Sequence, residues 1–139
     1  MRIVQSFIAI ALLAPPAEAQ EPPATTSAMS FFVTSTGRAI GADLGGLAGA
    51  DALCRQRAAA VGSGDRLWRA YLSAPASADA PAVNARDRIG RGPWMNARGI
   101  QIAASIEELH SENVNLTRDT ALTEKGGTVA PNRHDILTG

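Results

Sequence analysis

Gly46-Leu47-Ala48-Gly49-Ala50-Asp51-Ala52-Leu53-Cys54 is the stretch from which the fold is read. Leu47, Ala50, Cys54, Ala58 and Val61 recur at spacings of three and four, which predicts one apolar face of a helix, with Gly62 as its stop. Gly37, Gly41, Gly45, Gly46 and Gly49 mark the loop that leads into it. Asp51 is expected in the first turn, where a negative charge complements the helix dipole. Arg55 and Arg57 lie off or at the edge of the apolar stripe. The block reads as architecture more than as a ligand loop, with glycines for unusual backbone angles, Ala50 for close packing and Asp51 for capping.

Upstream, Ser30 to Ser35 is β-branched and aromatic and predicts a strand. Residues 20–28 carry paired prolines and no periodicity, the composition of a flexible linker. Before them, Arg2, the apolar run Phe7 to Ala14 and the small-x-small Ala17-Glu18-Ala19 form a secretory signal peptide over residues 1–19. The run is much shorter than the roughly 20 residues a membrane span needs, so no span is expected after cleavage near Gln20. No Cys lies near the cleavage point, which disfavours a lipid anchor. The mature protein is expected outside the cytoplasm, secreted or periplasmic.

Downstream, Leu67 to Ser73 alternates and predicts a second strand, with Trp68, Ala70 and Leu72 on one face. Residues 74–81 read as a surface loop, and 84–99, rich in Gly, Asn and Arg, as irregular structure. Ser105 with Glu108 is a capping box opening a short helix. From Ser111 onward the chain is polar apart from Ala121-Leu122. One strand, one helix, a second strand and long loops predict an α+β domain over residues 29–139 and not a doubly wound sheet.

The chain has 13 basic and 13 acidic residues, and loss of residues 1–19 removes one of each, Arg2 and Glu18. A neutral chain argues against a nucleic-acid partner, which demands a basic excess. Aromatics make up 4 % of the residues, so the core must be built from small side chains, which bury little area each.

Residues 46–54 resemble the G-[IL]-x-G-A-D-x-x-C signature of endostatin, the C-terminal domain of certain collagens. The likeness continues through Ala58, Ala60-Val61-Gly62 and Trp68-Arg69-Ala70-Tyr71-Leu72-Ser73. It resumes at Pro81-Ala82-Val83-Asn84-Ala85-Arg86-Asp87 and Pro93-Trp94. Exported bacterial proteins of endostatin-like, lectin-like type carry similar runs, among them Phe31-Phe32-Val33-Thr34-Ser35 and His134-Asp135-Ile136-Leu137-Thr138-Gly139. The resemblance implies a C-type-lectin-like fold that binds matrix components, glycosaminoglycans or surface proteins without catalysis. It makes Gly46, Gly49, Asp51, Cys54, Asn84 and Asp87 structural residues. It also implies a disulfide from Cys54 to a Cys on a closing strand near the C-terminus. This sequence runs to Gly139 with no second Cys, so the fold is expected to be incomplete and Cys54 unpaired within the chain. The N-terminal histidines that bind metal in animal endostatins have no counterpart, since no His precedes His110.

No cofactor or metal is expected. Cys54 on an apolar face lacks the electropositive, accessible setting of a nucleophile. His110 beside Glu107 and Glu108, and His134 beside Asp135, lack metal-ligand spacing. Ala130-Pro131-Asn132 lacks the acid of a calcium-lectin tripeptide, and Gly62-Ser63-Gly64 is not a nucleophile elbow. Asn115-Leu116-Thr117 is a glycosylation sequon. The surface candidate is the cluster Arg86, Arg88, Arg91 and Arg98 with Trp94. Guanidinium groups hold sulfates and carboxylates bidentately, and Trp94 is placed to stack on a sugar ring. The plainer reading makes the arginines solvated charges and Trp94 core. The partner is then an acidic glycan or a surface protein. The alternatives are a hydrolase using Asn84–Asp87 with His134-Asp135, or an inactive remnant.

Overall fold

A computed structural model describes residues 28–37 and 43–130. The expected signal peptide, the expected linker up to Ser27 and the His134-Asp135 pair lie outside the described residues. The elements in chain order are α1 (Gly46–Ala59), α2 (Ala85–Arg88), β1 (Trp94–Met95), β2 (Gln101–Ala103) and α3 (Ile106–Leu109). Strands β1 and β2 form a two-stranded antiparallel sheet, pairing Trp94 with Ala103 and Met95 with Gln101 around a bulge. The architecture is α+β in a loose sense, with most of the chain in turns and extended segments.

Helix α1 forms where the spacing predicts, with Ala50 and Ala58 buried and Leu47 and Cys54 half-buried. It ends two residues earlier than expected, at Ala59, and Val61 lies beyond it, 36 % exposed. Its N-cap is Gly45 at φ 74°, and Gly46 at φ 66° also takes the left-handed backbone that glycine tolerates. Gly49 is ordinary helix. Asp51 is not in the first turn, a correction that follows from the helix beginning at Gly46.

Neither predicted strand becomes a ladder among the described residues. Segment 30–35 contributes a single parallel bridge, Val33 to Thr123, and hydrogen bonds from the Ser30 and Phe31 amides to the Met95 carbonyl at 2.8 and 2.9 Å. Segment 67–73 keeps its alternation, with Trp68 and Ala70 buried and Leu67 and Arg69 exposed, but no strand among the described residues pairs with it. Only Ala74, at its end, bridges to Val83. A pattern of period two records which face is buried; it does not supply a partner for the backbone.

The core is divided. Met29, Ala58 and Trp68 form one cluster, joined by Phe32, Cys54 and Ala97. Trp94, Ile102 and Ala103 form the other, joined by Phe31, Ile89, Ile106 and Leu109. Phe31 and Phe32 point to opposite clusters, as neighbours on an extended chain must. Phe32 meets Trp68 edge to face at 4.7 Å. Asn96, fully buried, organises the β1–β2 turn: its Oδ1 accepts from the Arg98 and Ile100 amides, and its Nδ2 donates to the Thr120 carbonyl. The capping box at α3 forms, with Ser105 Oγ accepting from Glu108 N at 3.3 Å; the Glu108 carboxylate reaches back to Ala104 N at 2.7 Å.

Candidate functional site

The Asp51 carboxylate joins three segments. Oδ2 accepts from Arg69 Nη1 at 2.8 Å and Arg88 Nη2 at 2.7 Å, while Oδ1 accepts from the Ala70 amide at 2.8 Å. Arg88 Nη1 donates in turn to the Ala70 and Leu72 carbonyls at 2.7 and 3.4 Å. Helix α1, the 67–73 segment and α2 are thereby clamped. Burial pushes the Asp51 carboxyl up, but hydrogen bonds from Arg69, Ala70 and Arg88, with the charge of Arg88, outweigh it and hold it below its usual range. Burial and the neighbouring Asp51 charge push the Cys54 thiol up, with Arg88 offsetting part of that. A raised thiol is a poor nucleophile.

This clamp divides the arginines singled out in the sequence. Arg88 is committed to Asp51, its side chain 11 % exposed, and offers little to a ligand. Arg86 lies 3.9 Å from Glu107. Arg98 stands apart, its Nε donating to the Gly126 carbonyl. Asn84 caps α2, with Oδ1 accepting from Arg86 N, and Asp87 follows within that helix. Trp94 is core, 7 % exposed, so its ring presents no face for stacking.

What remains is a cleft of about 270 Å³ running between residues 66–68 and 89–94. Arg66 and Arg91 are its cations, and Leu67, Ile89 and Pro93 its accessible aliphatic surface; the two tryptophans close it from behind. Among the described residues no carboxylate lines it. Neither Arg66 nor Arg91 forms a hydrogen bond or ion pair with a described residue, although Glu107 feels the charge of Arg91 at a distance. Leu67 is 76 % exposed. Of the sequence candidates only Arg91 and Trp94 belong here. Arg66 and Leu67 were missed; the available signal was a bulky apolar residue on the outer face of the 67–73 alternation.

A second hollow of about 220 Å³ lies beside Met29, Ser63, Glu124 and Lys125. Glu124 is buried there, accepting from Ser35 N at 2.9 Å and Ser35 Oγ at 2.5 Å. Burial raises its pKa, but these bonds outweigh that and keep it below the usual range. His110 pairs with Tyr71, a contact the sequence does not show: Nδ1 donates to the Ile106 carbonyl at 2.6 Å, and Nε2 lies 2.7 Å from the Tyr71 hydroxyl. Among the described residues no group of three or more His, Cys, Asp or Glu is placed to hold a metal ion, and no helix is long and apolar enough to cross a membrane. The chain matches no protein-family profile, no curated protein and no solved structure.

Proposed function

We propose that this chain is an exported, non-catalytic binding module of the endostatin-like, C-type-lectin-like kind, and that it captures an anionic matrix or surface ligand, a glycosaminoglycan or an acidic protein, in the 66–94 cleft. The observation that carries the reading is the pair Arg66 and Arg91, two uncommitted guanidiniums on a cleft with no acid in its lining. Guanidinium pairs bind sulfate or carboxylate with directional, charge-assisted hydrogen bonds. The ordered blocks of sequence support the fold: the first supplies α1 and the Asp51 clamp, the second the extended 67–73 segment, the third α2, and Pro93-Trp94 the rear of the cleft. The chain is neutral overall, so attraction must come from the local pair and is screened beyond about 8 Å at physiological ionic strength.

Retention on immobilised heparin, used as a polyanion, tests it. Arg66→Ala with Arg91→Ala is expected to abolish retention at 0.15 M ionic strength while leaving the circular-dichroism spectrum unchanged. Arg55→Ala with Arg118→Ala, exposed cations elsewhere, is expected to have little effect. Equal loss from both pairs would show diffuse charge and no site.

A further inference from the structure

The cleft has a property that a charge-only site does not need. Leu67, Trp68 and Arg69 lie outside any helix, turn or strand, with their burial alternating residue by residue, and, among the described residues, make no backbone hydrogen bond. The outer edges of the small sheet are treated differently. The Met95 carbonyl of β1 receives the Ser30 and Phe31 amides, and the Ile102 carbonyl of β2 receives the Asn115 amide at 2.9 Å. Segment 67–69 therefore stands as an edge whose backbone groups no described residue claims. Its outward side chain, Leu67, is the most exposed of the large apolar residues, and Arg66 and Arg91 flank it.

We propose that the cleft receives an extended acidic peptide segment of a protein partner, which adds as a strand beside Leu67–Arg69. Main-chain hydrogen bonds to an unpaired edge supply affinity that is independent of side chains, and alternate side chains supply selectivity. The peptide's carboxylates meet Arg66 and Arg91, and an aliphatic side chain between them covers Leu67. A sulfated glycan would satisfy the arginines but has no use for the unpaired backbone or for an aliphatic contact. The cleft also lacks an open aromatic face for a sugar ring, since Trp68 and Trp94 are each 7 % exposed. This assignment rests on the anionic-ligand reading of the same cleft and narrows it to one class.

The experiment uses the full chain and three kinds of probe: a heparin oligosaccharide, a capped octapeptide alternating valine and glutamate, and that peptide N-methylated on one or the other alternating set of backbone amides. The unmodified peptide is expected to bind and to slow hydrogen exchange at the alternate amides of Leu67–Arg69 that face it. One methylated set is expected to weaken binding at least tenfold and the other much less, because alternate amides of a strand face opposite edges. Arg66→Ala with Arg91→Ala should weaken the peptide at least tenfold. Equal binding of all three peptides, or binding without protection of 67–69, would overturn strand addition. Heparin binding lost on Arg66→Ala with Arg91→Ala, with no peptide binding, would overturn it while leaving the anionic-ligand reading standing. Failure of both heparin and peptide to bind would overturn the two together.

Discussion

One carboxylate, that of Asp51, orients two guanidiniums and a backbone amide. Removing one partner of a buried charge pair leaves the other desolvated and uncompensated, which costs about 3–5 kcal/mol. The Arg88 contact is the buried one; Arg69, 44 % exposed, adds much less. Asp51→Ala is accordingly expected to lower the stability measured by urea unfolding by about 3 kcal/mol or more, and Arg88→Ala to lower it less, since Arg69 and the Ala70 amide still hold the carboxylate. The pH dependence has a definite sign. The folded Asp51 carboxyl titrates below its ordinary value, so on acidification the unfolded chain takes up that proton first. Its contribution is complete above the ordinary carboxylate range, about pH 4, and is lost as pH falls through the lower folded value. Glu124 acts in the same direction. Urea midpoints should therefore fall as pH drops below about 4.5 and through the lowered folded values, and more gently in Asp51→Asn. An unchanged slope in that variant would contradict this assignment.

Among the elements, α1 is the one long regular piece, and α2, α3, β1 and β2 are each four residues or fewer. Elements so short are held by specific contacts, because neither propensity nor ladder length stabilises them. The Gly90–Trp94 wall of the cleft shows this. Gly92 sits at φ 89°, and a Cβ there would lie 2.8 Å from the Trp94 ring and 2.9 Å from the Ala104 carbonyl. Gly92→Ala combines a strained backbone with an overpacked one and is expected to cost about 2 kcal/mol or more. It should also displace Trp94, read as a changed near-ultraviolet spectrum together with weaker heparin retention. A fully stable variant with unaltered retention would mean that this wall yields easily. The capping box at α3 and the apolar face of α1 were legible in the sequence because both are local patterns. The unpaired state of 67–69 was not, since pairing depends on what another part of the chain brings alongside.

At the scale of the whole molecule, two small clusters, built on two tryptophans, two phenylalanines, three alanines and aliphatics such as Met29, Ile102 and Leu109, replace one broad core among the described residues. Buried polar ties at Asp51, Asn96 and Glu124 connect the loops between them. A prediction of export belongs to this scale as well. The pattern Arg2, Phe7 to Ala14 and Ala17-Glu18-Ala19 predicts that the secreted protein begins near Gln20, and mass spectrometry finding Met1 on it would refute that. The sequence by itself determined the α1 helix, the capped turn at Ser105, the buried face of 67–73 and the neutral charge, because spacing, caps and composition act within a few residues. Only the tertiary structure decided which arginines are available. Arg88 and Arg91 are three positions apart and look alike on paper. Yet Arg88 turns inward to a carboxylate 37 residues earlier, while Arg91 stays in the cleft with Arg66. A charge is spent or free according to what the folded chain places within about 4 Å of it, and that distance is not encoded in local pattern.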